Sequence, residues 1–130
     1  CADRYFSISK DILGYDIHEI IRTGPIEKLN NTKYTQPAIF IISAIANNIY
    51  TDKFGKANCC AGHSLGEITA LYSSNVLEFE ESLLLIQKRA ENVTSGNRPT
   101  FLRLKIYPSS AQPYSLKRQS SCRDVLVSTY

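Results

Sequence analysis

The segment ANCCAGHSLGE (57–67) restricts the possible folds of this chain more than any other. A short apolar run ends in glycine, a serine stands between two glycines, and helix-forming residues continue from Leu65 to about Ser74. Gly62-x-Ser64-x-Gly66 fits the nucleophile-elbow pattern, whose context is a strand before and a helix after. On this reading residues 57–62 form a buried parallel strand. The serine must then hold a strained backbone while strand and helix approach closely, so the residues two positions to either side must be small, and glycine lacks a Cβ. Taken alone, the five residues also fit a glycine-rich turn with an idle serine. The flanking strand and helix favour the elbow.

Helical signals occupy most of the chain before this segment. Tyr5, Ile8 and Ile12 have helical spacing, as do Ile17, Ile20 and Ile21, and Gly14 between them predicts two short helices. Thr23-Gly24-Pro25 is a stop-and-turn signal, with Pro25 in the first turn of another short helix through Leu29. Thr35 is read as the N-cap of the next helix, with Pro37 in its first turn, where it costs no hydrogen bond. Apolar residues on nearly every face from Ala38 to Ala46 predict burial on most sides. After the elbow, Phe79, Leu83, Ile86, Ala90 and Val93 form one stripe of a helix ending near Gly96. Helix, strand, turn, helix is the order of an α/β unit.

Composition narrows the function classes. The 130 residues have room for one domain or part of a larger one, and with 43% hydrophobic and 21% charged residues a core can be buried. The net charge of +3 is modest, and no nucleic-acid partner is expected. Its distribution is uneven: nine Lys/Arg face ten Asp/Glu up to Ala90, and six face two from Glu91 onward. That shift, with Pro99, Pro108 and Pro113 among serine and basic residues, predicts a change of texture near residue 94 and a partly disordered tail, although FLRLKIY (101–107) alternates like a strand. The longest apolar run starts at Ala38 and reaches only Ala46 even when Ser43 is allowed, short of the roughly 20 residues that span a bilayer. The chain starts at Cys1 without a signal-peptide pattern, so a leader is expected to be absent or already lost. Cys1, Cys59, Cys60 and Cys122 have no CxxC spacing, so no metal site is expected, and reduced, core-facing thiols fit an intracellular compartment.

Three polar residues compete for roles around Ser64. Its position at a helix start offers free N–H groups for an oxyanion, with that of Leu65 the expected first donor. His63 invites a Ser–His pairing, but adjacent side chains on a sharp turn diverge. His18 has no companion signal and reads as an exposed helical histidine. Arg89 lies 25 positions after Ser64, at the border of the apolar stripe. Periodicity favours a solvated arginine beside Lys88. The functional reading is a guanidinium held to pair bidentately with a substrate carboxylate.

Four ordered segments carry a family resemblance: LGYD (13–16), GPIEKLNNTKYTQPAIF (24–40), AGHSLGEITAL (61–71) and LEFEESLLLIQKRA (77–90). On them the chain resembles malonyl-CoA:acyl-carrier-protein transacylases and, more broadly, the acyltransferase domains of fatty acid and polyketide synthases. The resemblance implies a partial α/β-hydrolase-like acyltransferase core of short parallel strands flanked by helices, over residues 1–93, with residues 94–130 a divergent basic tail. It implies Ser64 as the acyl acceptor, Leu65 as an oxyanion donor, and Gly62 and Gly66 as the elbow glycines. Arg89 would hold the malonyl carboxylate, and Gln36 and His63 would have supporting roles. No cofactor is implied. Malonyl-CoA and phosphopantetheinylated acyl carrier protein are the expected substrates, in the cytoplasm or an organelle matrix and away from membranes.

Departures from the family qualify this. The family's N-terminal GQGSQ segment has no counterpart, no histidine follows His63 where the family has its catalytic one downstream, and the ferredoxin-like subdomain is missing. The expectation is therefore a truncated domain, poorly stable and nearly inactive in isolation, since general-base help is typically worth a factor of about 10² to 10⁴. Two other readings stay open: a serine esterase or thioesterase, and a non-catalytic fragment that binds carrier protein.

Overall fold

The computed structural model describes residues 2–94 and 125–128. The described residues form six helices and two strands in the order α1 (Ala2–Leu13), α2 (Ile17–Thr23), α3 (Ile26–Leu29), α4 (Thr32–Phe54), β1 (Cys59–Gly62), α5 (Leu65–Ser73), α6 (Phe79–Thr94) and β2 (Val125–Ser128). The predicted break between α1 and α2 falls at Gly14, at φ 75°, a left-handed conformation that favours glycine. Asp16 then caps α2, its carboxylate accepting from the Glu19 amide at 3.0 Å and pairing with Lys10 at 3.0 Å. Pro25 precedes α3 as its N-cap, after a cis Gly24–Pro25 bond.

The start of α4 differs from the sequence expectation. Asn31, not Thr35, is the N-cap: its side chain accepts from the Lys33 amide at 3.0 Å. Pro37 therefore sits inside the helix rather than in its first turn. A proline there supplies no N–H to the carbonyl four residues earlier, which is that of Lys33. The Tyr15 hydroxyl takes the vacant place, donating to the Lys33 carbonyl at 3.1 Å. Thr35 donates its hydroxyl to the carbonyls of Leu29 and Asn31, tying α3 to the start of α4. A tyrosine from the turn between α1 and α2 thus lets α4 begin four residues early.

The core lies where α1, α2, α5 and α6 close on α4. Phe40 and Ile41 of α4, Ile17 of α2, and Leu83 and Ile86 of α6 are fully enclosed. Phe40 stacks on Phe79 with ring centroids 5.5 Å apart, and Tyr5 and Tyr72 meet Phe79 edge-on. The predicted stripe of α6 is buried at Phe79, Leu83, Ile86 and Ala90. The helix α4 is less enclosed than its composition suggests. Ile42 is 49% and Ile49 63% exposed, because the neighbouring helices cover one side only.

A buried strand was expected over residues 57–62. The observed β1 is shorter, Cys59–Gly62, with Cys60 buried and Ala61 exposed, since successive residues of a strand face opposite sides, and its partner was not expected. The backbone of β2 runs parallel to it, with Cys59 opposite Val125 and Gly62 opposite Ser128. Parallel pairing satisfies backbone groups that a lone strand would leave without partners. Except for Thr94, which ends α6, and β2, the tail assigned to residues 94–130 lies outside the described residues, as does the candidate strand at 101–107.

Candidate active site

The end of β1 and the start of α5 meet at an unusually close backbone approach. A Cβ on Gly62 would stand 1.9 Å from the Gly66 carbonyl oxygen and 2.7 Å from the Glu67 amide nitrogen, so no other residue fits without backbone movement. Between the two glycines Ser64 takes φ 60° and ψ −117°, a region that L-residues rarely adopt and that costs on the order of 1–3 kcal/mol. The turn is closed by the Gly66 amide on the His63 carbonyl at 3.0 Å and the Glu67 amide on the Ser64 carbonyl at 3.2 Å.

Ser64 is the N-cap of α5, and Ser64-Leu65-Gly66-Glu67 has the S-x-x-E spacing of a capping box. The box does not form: the Ser64 side chain makes no cap hydrogen bond. Positive φ aims its oxygen elsewhere, and the Nη2 of Arg89 donates to that oxygen at 2.7 Å. The solvated placement that periodicity favoured for Arg89 is therefore not the one observed. The side chain is half-buried against the elbow. Burial holds its guanidinium below the ordinary arginine value, while the Glu67 carboxylate acts in the opposite direction.

The other sequence-predicted residues fall into place less directly. Leu65 is buried and opens α5, with its backbone at the helix N-terminus beside Ser64. Gln36 lies one residue before Pro37 in α4; its Oε1 is buried with no hydrogen-bond partner among the described residues. His63 is exposed on the turn. His18, expected to be exposed, is half-buried and stacked on Phe6 at 4.2 Å. Cys60 is buried, and desolvation pushes its thiol pKa up. Among the described residues no cluster of His, Cys, Asp and Glu could hold a metal ion, and no helix is long and apolar enough to cross a membrane. The residue that sequence reasoning missed is Glu67, an acid with only 8% exposure one turn beyond the serine. Its signal was the S-x-x-E spacing, which describes a helix cap before it suggests a buried charge.

Strand, strained serine and helix place the chain among proteins built round a strand–turn–helix elbow. A family model described as an acyl transferase domain matches residues 2–100, and the chain belongs to that family. A malonyl CoA-acyl carrier protein transacylase of Haemophilus influenzae is 39% identical over 88 residues, 66% of this chain and 28% of the relative. A Drosophila melanogaster protein named as a probable mitochondrial malonyl-CoA-acyl carrier protein transacylase is 41% identical over 93 residues, 68% of this chain and 24% of that one. The fold is shared with a solved complex of a type II PKS acyl-carrier protein and its malonyl-transacylase, at TM-score 0.68 and 35% identity over 75% of this chain and 32% of that one. The chain spans less than a third of the length of these relatives.

Proposed function

We propose that this chain carries the acyl-accepting half of a malonyl-transfer site, within an α/β-hydrolase-like core of which β1 and β2 are part. In the first step Ser64 Oγ attacks the thioester carbonyl of malonyl-CoA, and the carbon–sulfur bond breaks. Coenzyme A leaves as the thiol, carrying away the proton that the serine gives up, and the malonyl group stays as an ester on Ser64. In the second step the phosphopantetheine thiol of acyl carrier protein attacks that ester, and the serine regains its proton.

The observation that carries this reading is the hydrogen bond from Arg89 to Ser64. A guanidinium 2.7 Å from the acceptor oxygen lies within reach of a carboxylate on a short acyl chain and pairs with it bidentately. An acyl group without a carboxylate leaves that half-buried cation unmatched, which disfavours acetyl relative to malonyl. The oxyanion donor in this reading is the Leu65 N–H, and its position at the positive end of α5 supports that role. A supporting role for Gln36 on α4 draws on its buried Oε1, which has no hydrogen-bond partner among the described residues. The names of the relatives support the choice of malonyl-CoA and acyl carrier protein, and the mitochondrial designation of one of them supports an organelle matrix, beside the cytoplasm, as the setting of the reaction.

Peptide mapping by mass spectrometry after incubation with malonyl-CoA tests the reading. A malonyl adduct is expected on the peptide containing Ser64 and is lost in Ser64→Ala. Modification elsewhere, or hydrolysis of simple esters without an acyl-serine, would count against it.

A further inference from the structure

From the burial of Glu67 beside the elbow we infer that it is the positioning residue for Arg89, holding the guanidinium over Ser64 before a substrate carboxylate arrives. This rests on the malonyl-transfer reading above. Glu67 stands in the first turn of α5, next to the elbow, and its amide donates to the Ser64 carbonyl at 3.2 Å. Arg89 reaches the elbow from α6, which packs against α5, and donates to Ser64. A carboxylate with 8% exposure is costly unless a cation offsets it, and the Arg89 guanidinium feels its charge as a favourable one, against the larger effect of its own burial.

No direct ion pair joins the two among the described residues, and Lys10–Asp16 is the pair within salt-bridge distance. That separation suits a positioning role. A contact pair would occupy the guanidinium and compete with the substrate, whereas a carboxylate farther off attracts the cation inward and leaves its donors available. Arg89 is only half-buried, so without Glu67 water is the better-solvated alternative for its charge. The side chain then turns outward, and part of the substrate's binding energy goes to recovering it. The consequence falls on malonyl capture more than on the saturated rate.

Acylation of Ser64 by activated malonyl and acetyl thioesters, followed in the 130-residue chain, tests this. Glu67→Gln is expected to raise the half-saturating malonyl concentration about tenfold and to lower the malonyl-to-acetyl ratio accordingly, a loss of the size that one part-screened charge supplies. Glu67→Asp, which keeps the charge, retains most of the preference. In an Arg89→Ala background neither change alters the ratio further. A Glu67→Gln chain with the wild-type ratio overturns the inference, as does an effect that persists undiminished without Arg89. If Glu67→Gln does not fold, Glu67→Asp carries the test: a small loss of preference that vanishes in Arg89→Ala supports the role, and no loss or a persisting one overturns it. Absence of malonyl preference in the wild-type chain would instead sink the malonyl-transfer reading itself.

Discussion

Arg89 and Ser64, 25 residues apart in the chain, are joined by a 2.7 Å hydrogen bond in which the guanidinium donates to the serine oxygen. Two local events produce it. The positive φ of Ser64 turns its side chain away from the amides it would otherwise cap, and the apolar stripe of α6 fixes the rotation that brings Arg89 to the elbow. The site is thus a by-product of core packing on one side and backbone strain on the other.

The strain at Ser64 is measurable apart from any chemistry. Ser64→Gly and Ser64→Ala both remove the hydroxyl, but only glycine adopts φ 60°, ψ −117° without penalty. Chemical denaturation should find the glycine variant more stable than the alanine variant by about 1–2 kcal/mol. Equal stabilities would mean that the elbow relaxes in solution.

Gly62→Ala tests the close approach. Its Cβ would meet the Gly66 carbonyl oxygen at 1.9 Å, a backbone atom that cannot swing aside. The variant should lose at least the ~1–3 kcal/mol typical of overpacking, and Ser64 acylation should fall with it. Gly14→Ala serves as the comparison, because a Cβ there meets nothing within 4 Å and only the positive φ opposes it.

The Tyr15 hydroxyl and Pro37 form a matched pair. Tyr15→Phe leaves the Lys33 carbonyl without its donor and should cost about 0.5–1.5 kcal/mol. In a Pro37→Ala background the helix supplies its own amide to that carbonyl, so the same change should cost less, and a double-mutant cycle reads the difference. Burial, helped by Tyr34 and Glu91, pushes the Tyr15 pKa up to about 12. A folded pKa above the ordinary 10.0 means that the contribution is complete below pH 10 and fades as pH rises toward 12. The stability gap between wild type and Tyr15→Phe should close across that window.

Asp16 gives the opposite sign. The Glu19 amide and then Lys10 hold its carboxyl below the ordinary value of 3.8. Its contribution is therefore present above that value and is lost as pH falls through the lowered one. The difference in Tm between wild type and Asp16→Asn should shrink as the medium is taken below pH 4.

Much of the helical frame was legible in the sequence because periodicity and punctuation agreed there. Gly14 broke α1 from α2, Pro25 introduced α3, and Phe79, Leu83, Ile86 and Ala90 faced inward as their spacing required. The start of α4 was not legible. Thr35-x-Pro37 is an ordinary helix-opening signal, and only the distant Tyr15 hydroxyl makes a proline acceptable farther inside. The neighbour of β1 was hidden for a similar reason, since a parallel strand's partner lies far along the chain and carries no local mark. At the site, the elbow could be read from Gly62, Ser64 and Gly66. The placement of Arg89 could not be read from spacing alone, because the border of a stripe faces either water or a neighbour. Glu67 was concealed by a capping pattern that the backbone does not use.

The central claim is that Ser64 accepts an acyl group whose carboxylate Arg89 holds. The direct measurement compares rates of acyl-serine formation from activated malonyl and acetyl thioesters, read by mass spectrometry of the Ser64 peptide, in wild type and Arg89→Ala. Activated thioesters lessen the need for a general base. The account predicts that malonyl is preferred by about tenfold or more in the wild type, as expected of a carboxylate matched to a guanidinium, and that the preference disappears in Arg89→Ala. Equal rates for the two thioesters in the wild type, or an undiminished malonyl preference without Arg89, would contradict it.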